Sequence, residues 1–305
     1  MANDHYVPQF YLRNFSSKKE KVFEYTRNEE KPEEKWIKEV ASEQSYYDYQ
    51  IKAGGKDSLE GVLAMIESQA APIIKRIVSE RKFDLSSTSK EYGQLIYFIA
   101  MLSVRVPAHK KKSEALGTSF AEVWMDSLIN NKKGYLEAAK KASPKASEND
   151  LLKARDAYLA GKIKLTAVFP DKSPLDKDTL VLLNHDIYPL LLEKNWAVVT
   201  TNSTRNFITS DNPVNVTQFE GRRFSGFKFG VIFVPLSPNV ALMGFDAKLT
   251  QIVFNREQVG KANYDQMYYS HEHVFSSFES KDIQNDYNGT NFGEGQSVEV
   301  EKVSR

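Results

Sequence analysis

Six side chains in this sequence have the types and placement to do chemistry: His5, Gln9, Glu67, Arg105, Asp211 and Asn212. His5 lies in the opening stretch MANDHYVPQFYLRNF, three residues before Pro8 and among Tyr6, Phe10, Tyr11, Leu12 and Phe15. An imidazole titrates near neutrality and serves as general acid, general base or metal ligand. It serves equally well as a buried residue satisfied by a backbone carbonyl. Arg105 ends an apolar run, three residues after Leu102 and six after Ile99. A guanidinium so close to a buried stripe needs a carboxylate or a phosphate, which predicts Asp211 or a bound anion as its partner. The following Lys110, Lys111 and Lys112 need only the helix dipole, worth about 0.3–1 kcal/mol.

Asp211-Asn212-Pro213 follows Phe207-Ile208-Thr209-Ser210, so a carboxylate and an amide are presented where a strand leaves a sheet. Such a pair can hold a metal, a water or a substrate, or it can simply cap its own turn. Glu67 lies seven residues after Glu60, on the same flank of one helix,. It can supply a second carboxylate beside Asp211 for a divalent ion, or remain a solvated flank residue. His271 and His273 form an H-x-H pair lacking third and fourth ligands, and read as helix-end residues,. The H-E-x-x-H, P-loop, G-x-G-x-x-G and G-x-S-x-G patterns are absent, which disfavours nucleotide-dependent phosphoryl transfer and serine hydrolysis,. No nucleotide, haem or flavin is expected.

Three blocks carry a resemblance: His5-Tyr6-Val7-Pro8-Gln9-Phe10-Tyr11-Leu12-Arg13-Asn14-Phe15, Arg105-Val106-Pro107 at a helix end, and Thr209-Ser210-Asp211-Asn212-Pro213-Val214. In order and spacing they resemble the mainly bacterial domain-of-unknown-function 4238 family over roughly residues 1–278. The resemblance singles out residues and implies no activity.

The 305 residues are 41% hydrophobic and 27% charged, enough for a real core,. The net charge of +1 gives no global attraction to nucleic acid or acidic lipid,. Zero cysteines removes disulfides, thiolate metal sites and cysteine nucleophiles together,. Neither a signal peptide nor an apolar run of about 20 residues is found, so a cytoplasmic protein without a membrane span is expected.

The elements that must position the six residues read as follows. Lys21–Tyr25 alternates as a strand, and Trp36–Val40 and Tyr46–Tyr49 as short extended pieces, with Gly54-Gly55 closing this section,. A helix is expected from Asp57, with Glu60 completing a capping box, and a second from Thr88 with Glu91, ending at Arg105 before Pro107,. Pro72 should kink the first. A third helix spans Glu114–Asn131, residues 132–162 read as a helical insertion or lid, and Leu175–Asn195 as a further helix. Strands follow at Trp196–Thr200, Phe207–Thr209, Val231–Val234 and Val240–Met243, then a helix over Glu257–Ser270 and a last extended piece at Val274–Phe278,. The fold class is α+β: one domain over residues 1–278, a helical middle packed on a sheet of N- and C-terminal strands, and a mobile polar tail over 279–305.

Two functions fit these residues. In the first the chain is a hydrolase, a metal-assisted phosphodiesterase or nuclease with a toxin or phage-defence role. His5 would be general acid/base, Arg105 would stabilise developing charge, and Asp211 with Glu67 would hold Mg²⁺ or Mn²⁺. Gln9 and Asn212 would orient a nucleic-acid substrate. In the second the chain is a non-enzymatic binding module, and His5, Arg105 and Asp211 form a structural polar network. Exposure separates the two, since catalytic residues line a concave pocket and structural ones are sealed.

Overall fold

The computed structural model describes residues 3–17, 20–50, 56–168, 172–217, 226–247 and 251–290. Gly54 and Gly55 lie outside them. The chain divides into two compact units. One is Met1–Lys110 with Asp171–Gly293, and the other is Lys111–Pro170 with Glu294–Arg305, the latter outside the described residues.

The first unit opens with strand β1 (Asn3–His5) and one helical turn, α1 (Gln9–Leu12). After β2 (Lys21–Thr26) and β3 (Glu33–Trp36), β4 (Ser42–Gln44) returns to pair with β1, placing His5 opposite Ser42. The arm is held by the Ala41 carbonyl, which accepts the amides of Tyr6 and Val7 at 3.0 and 3.5 Å. Ala41 adopts φ 49°, a left-handed conformation that costs a non-glycine residue about 1–2 kcal/mol. Val7, Tyr11, Leu12 and Phe15 are all fully buried, so the aromatic opening supplies core.

A short hairpin, β5 (Asp48–Gln50) with β6 (Lys56–Ser58), precedes α2 (Glu60–Glu80). Asp57 therefore lies in a strand, and the N-cap residue of α2 is Leu59, whose side chain makes no cap bond. The helix start is set instead by the end of the hairpin, where Ser58 Oγ accepts the Glu60 amide at 3.3 Å. In α3 (Lys90–Val104) the cap is Ser89, which accepts the Tyr92 amide, one residue beyond the expected Thr88. Leu95, Ile96, Phe98, Ile99 and Leu102 are buried, and Phe10 packs its ring 5.4 Å from that of Phe98. Arg105 is the C-cap of α3, and Pro107 opens α4 (Pro107–Ile129) rather than a loop. A proline needs no amide partner in a first turn, so the X-Pro step ends one helix and starts the next.

The remaining chain of this unit passes through α7 (Lys177–Leu182), a wide π turn over Leu183–Ile187, and α8 (Tyr188–Leu192). It then builds two sheets. Strands β7 (Asn195–Thr201), β9 (Asn215–Thr217), β10 (Val231–Ser237), β11 (Val240–Phe245) and β12 (Gln251–Phe254) form a five-stranded sheet in the order β12-β7-β11-β10-β9. All pairs are antiparallel except β12 with β7. Every residue of β10 is buried, as a strand covered on both faces requires,. Val198, Ile232, Val234 and Leu242 join the α2–α3 core, while Val199, Phe207, Phe233 and Ala241 pack on Val259 and Ala262 of α9 (Arg256–Tyr269). The second sheet has the order β3-β2-β13-β8, with β8 (Thr209–Ser210) and β13 (His273–Ser276), and so joins N-terminal to C-terminal strands. This is an α+β fold.

Two expectations change. Residues 281–289, read as mobile tail, form α10 (Lys281–Gly289), capped by Ser280, with Ile283, Gln284 and Tyr287 buried. Its only apolar anchors are Ile283 and Tyr287, too few to show as a periodic pattern. In the second unit, α5 (Lys132–Ala142) and α6 (Glu148–Leu159) share a small core of Ile129, Tyr135 and Leu151. The compact unit begins within α4, well before the expected boundary at 132. Among the described residues no helix is long and apolar enough to cross a membrane.

Candidate functional site

Arg105 is 2% exposed and holds three acceptors. Its Nε donates to Tyr47 Oη at 2.8 Å, Nη1 to Glu67 Oε1 at 2.7 Å, and Nη2 to the His5 carbonyl at 2.5 Å. Tyr47 passes the bond on, since its hydroxyl donates to the same His5 carbonyl at 3.2 Å. Its ring also lies 5.3 Å from the guanidinium. Burial opposes the charge on Arg105, but Tyr47 and Glu67 outweigh it and leave the pKa above its ordinary value. The guanidinium thus clamps the opening arm to α2 and α3, and its carboxylate is Glu67, not Asp211.

His5 contributes its backbone to this clamp. Its ring faces elsewhere: Gln9 Nε2 stands 3.4 Å from Nδ1. Burial pulls the imidazole pKa down, against the opposing pull of the Ile37 backbone and Glu67. The buried Nε2 has no hydrogen-bond partner. A neutral, desolvated ring is compatible with a base and equally with a packed side chain.

Asp211 is fully buried. Its Oδ1 accepts the His271 amide at 2.7 Å, and Oδ2 accepts those of Glu272 and His273 at 2.6 and 2.9 Å. Its own amide donates to the His273 carbonyl at 3.0 Å. Burial raises the carboxyl pKa above its ordinary value, and the three amides offset only part of that rise. Asp211 therefore does not cap its own turn. It stitches the end of β8 to the connection between α9 and β13.

The neighbours of Asp211 do the same work. Asn212 Nδ2 donates to the Tyr269 carbonyl at 2.8 Å, and Ser210 Oγ donates to Gln266 Oε1 at 2.9 Å. Gln266 Nε2 donates to the Pro213 carbonyl at 3.0 Å, and Asn263 bonds both the Asn206 carbonyl and the Ile208 amide. Two amide side chains on the buried face of α9 thereby satisfy backbone that no sheet ladder reaches.

The three sequence blocks meet. Arg105 grips the opening arm, and Tyr11 of that arm bonds Thr209 Oγ1 at 3.0 Å. The Tyr11 hydroxyl also donates to the Pro235 carbonyl, beside the register shift between Pro235 and Ser237 in β10. Tyr6, its hydroxyl pKa raised by burial and then by the Asp211 charge, lies near the same junction. Tyr11 lies inside the first recognised block, where its aromatic character marks it, whereas Tyr47, Asn263 and Gln266 lie outside all three blocks and carry no local signal.

Glu67 is bonded to Arg105 and Asp211 to three amides, so the two carboxylates are not offered jointly to a metal. Among the described residues no three His, Asp or Glu side chains stand where they could hold a metal ion. His273 Nδ1 instead stands 3.1 Å from Thr26 Oγ1. Two open pockets lie elsewhere in the first unit. One, of about 280 Å³, is lined by Gln69, Gln94, Lys90, Tyr97 and Tyr188. The other, of about 390 Å³, is lined by Arg205, Tyr264, Asn285 and Asp286. Arg205 pairs with Asp286 at 2.8 Å and fills the space a side chain at Gly260 would need.

Asp265, on α9, is pushed up to about 6 by burial alone. Its folded pKa exceeds its unfolded value of 3.8, so the folded state binds the extra proton between pH 3.8 and 6 and stability falls as pH rises through that window,. Asp265→Asn should therefore raise stability at pH 7 by about 1 kcal/mol, discounted for partial exposure, and change little at pH 4. Urea midpoints at the two pH values check this. Equal shifts at both would contradict it.

This is a two-unit α+β protein whose recognised residues form a buried polar junction between its opening arm, two long helices and the second sheet. The chain belongs to the family described as Protein of unknown function (DUF4238), whose model matches residues 3–285. No curated protein and no solved structure matches it.

Proposed function

We propose that the chain is a non-enzymatic binding module in which His5, Arg105 and Asp211 form a structural network fixing the opening arm to the body. The observation carrying this reading is the sealing of Asp211, wholly buried with both oxygens occupied by three amides. A carboxylate in that state meets no substrate without unfolding the α9–β13 connection. Arg105, with three acceptors and 2% exposure, has no face left for a developing anion. The absence of cysteine suits a reducing cytoplasm,.

The second reading is a hydrolase acting on nucleic acid with Mg²⁺ or Mn²⁺. What favours it is the desolvated His5 imidazole, held below its ordinary pKa with Nε2 unbonded. Its candidate residues then reduce to His5, Gln9 and Glu67.

The deciding experiment incubates labelled single- and double-stranded RNA and DNA with the wild type and His5→Ala, in Mg²⁺, Mn²⁺ or EDTA. Thermal unfolding of each protein is followed in parallel. The binding-module reading expects no cleavage above buffer. Cleavage by the wild type that disappears in a normally folded His5→Ala would replace it with the hydrolase.

A further inference from the structure

Helix α4 carries a face that none of the described residues of its own unit covers. Leu116, Phe120, Val123 and Trp124 are 45, 67, 51 and 56% exposed. Their spacing of four, three and one places them on one stripe of the helix. The unit uses the opposite side and one edge of the stripe. Thr118 Oγ1 accepts the Ala167 amide at 2.8 Å, and Met125 and Ile129 enter the core with Tyr135 and Leu151, while the Ala167 side chain lies against Gly117, seven residues before Trp124 at the edge of the stripe. Surface helices rarely expose four large apolar side chains in a row without an occupant.

The charges beside the stripe identify that occupant. Lys112 and Asp126 are both exposed and lie seven residues either side of Ser119, on the same flank of the stripe,. In heptad terms Leu116 and Val123 occupy d, Phe120 occupies a, and Lys112, Ser119 and Asp126 occupy g. When two such helices run antiparallel, g faces g and a faces d. One register centred between Thr118 and Ser119 then brings both kinds of pair together, with Val123 set opposite Ser113,. Phe120 of each copy packs on Leu116 of the other, and Lys112 of each copy faces Asp126 of the other. The surface is complementary to itself, which is what a two-fold interface requires. Asp126 Oδ1 accepts the Tyr158 hydroxyl at 3.1 Å, which holds the carboxylate out on that flank.

We propose that the protein associates with a second copy of itself through antiparallel pairing of α4, seamed by Leu116, Phe120, Val123 and Trp124 and registered by Lys112 against Asp126. This does not depend on whether the polar junction is structural or catalytic.

Sedimentation equilibrium of the full chain across a concentration series tests it. The wild type should dimerise, and Phe120→Glu should weaken the dimer by about 30-fold or more, as loss of a central apolar anchor does. Lys112→Asp and Asp126→Lys should each weaken it by about tenfold through like-charge contact across the two-fold. The double variant K112D/D126K should recover most of the loss, because the reversed pair is again complementary. Far-UV circular dichroism confirms that these surface variants fold. A wild type monomeric at about 100 µM, a dimer indifferent to Phe120→Glu, or a double variant no better than the single ones would each overturn the proposal.

Discussion

Asp211→Ala should cost about 4 kcal/mol of stability, enough to leave a domain of ordinary stability barely folded. The size follows from what the carboxylate holds. Three backbone amides, of His271, Glu272 and His273, lose a charged acceptor in a place water does not reach. Each unsatisfied buried donor costs roughly 1–3 kcal/mol, partly recovered by local relaxation. Asp211→Asn refines the argument. Oδ2 carries two amides and Oδ1 one, so the amide oxygen placed at the Oδ2 position keeps two bonds while the NH₂ meets the His271 donor. A cost of about 2 kcal/mol is expected. Urea denaturation gives both values. If Asp211→Ala unfolds within about 0.5 kcal/mol of the wild type, the stitch is not what holds β8 to β13.

Arg105→Met should cost about 3–5 kcal/mol, because it breaks one side of a buried ion pair and empties three bonds together. Methionine fills much of the volume, so little of this is cavity. The left-behind groups are the Glu67 carboxylate, 24% exposed, the Tyr47 hydroxyl and the His5 carbonyl. Glu67 can recover water, which sets Glu67→Gln apart: its amide oxygen still accepts from Nη1, and about 1 kcal/mol should be lost. Adding Glu67→Gln to Arg105→Met should then return part of the larger loss, a coupling a double-mutant cycle reads directly. Additive losses would mean the two side chains act separately. Limited proteolysis should find the opening arm cut faster in Arg105→Met, since Nη2 grips it at His5,.

The same two residues show why chemistry-bearing types mislead. An arginine at the end of an apolar helix and an aspartate at a strand end satisfy the sequence requirements of a phosphodiesterase centre. They satisfy those of buried scaffolding equally, because burial without a partner is costly in both cases. What separates the readings is the identity of the partner. Arg105 lies 38 residues from Glu67 and Asp211 lies 60 to 62 from its three donors, and these separations carry no local signal.

By itself the sequence determined the elements with strong periodicity or firm punctuation. The α3 stripe ending at Arg105 before Pro107, the buried runs that became β7, β10 and β11, and the aromatic arm that needed a core were all legible, because period and side-chain type act locally,. It also marked the three blocks that converge. The tertiary structure alone decided the rest. The strand Asn215–Thr217, the strand Gln251–Phe254 and the helix Lys281–Gly289 are short or polar, and exist through the sheet edge or core they complete,. The start of α2 was set by the hairpin before it rather than by Asp57. Whether Asp211 met solvent or three amides was settled by where the α9–β13 connection passes, a packing outcome that no window of neighbouring residues contains.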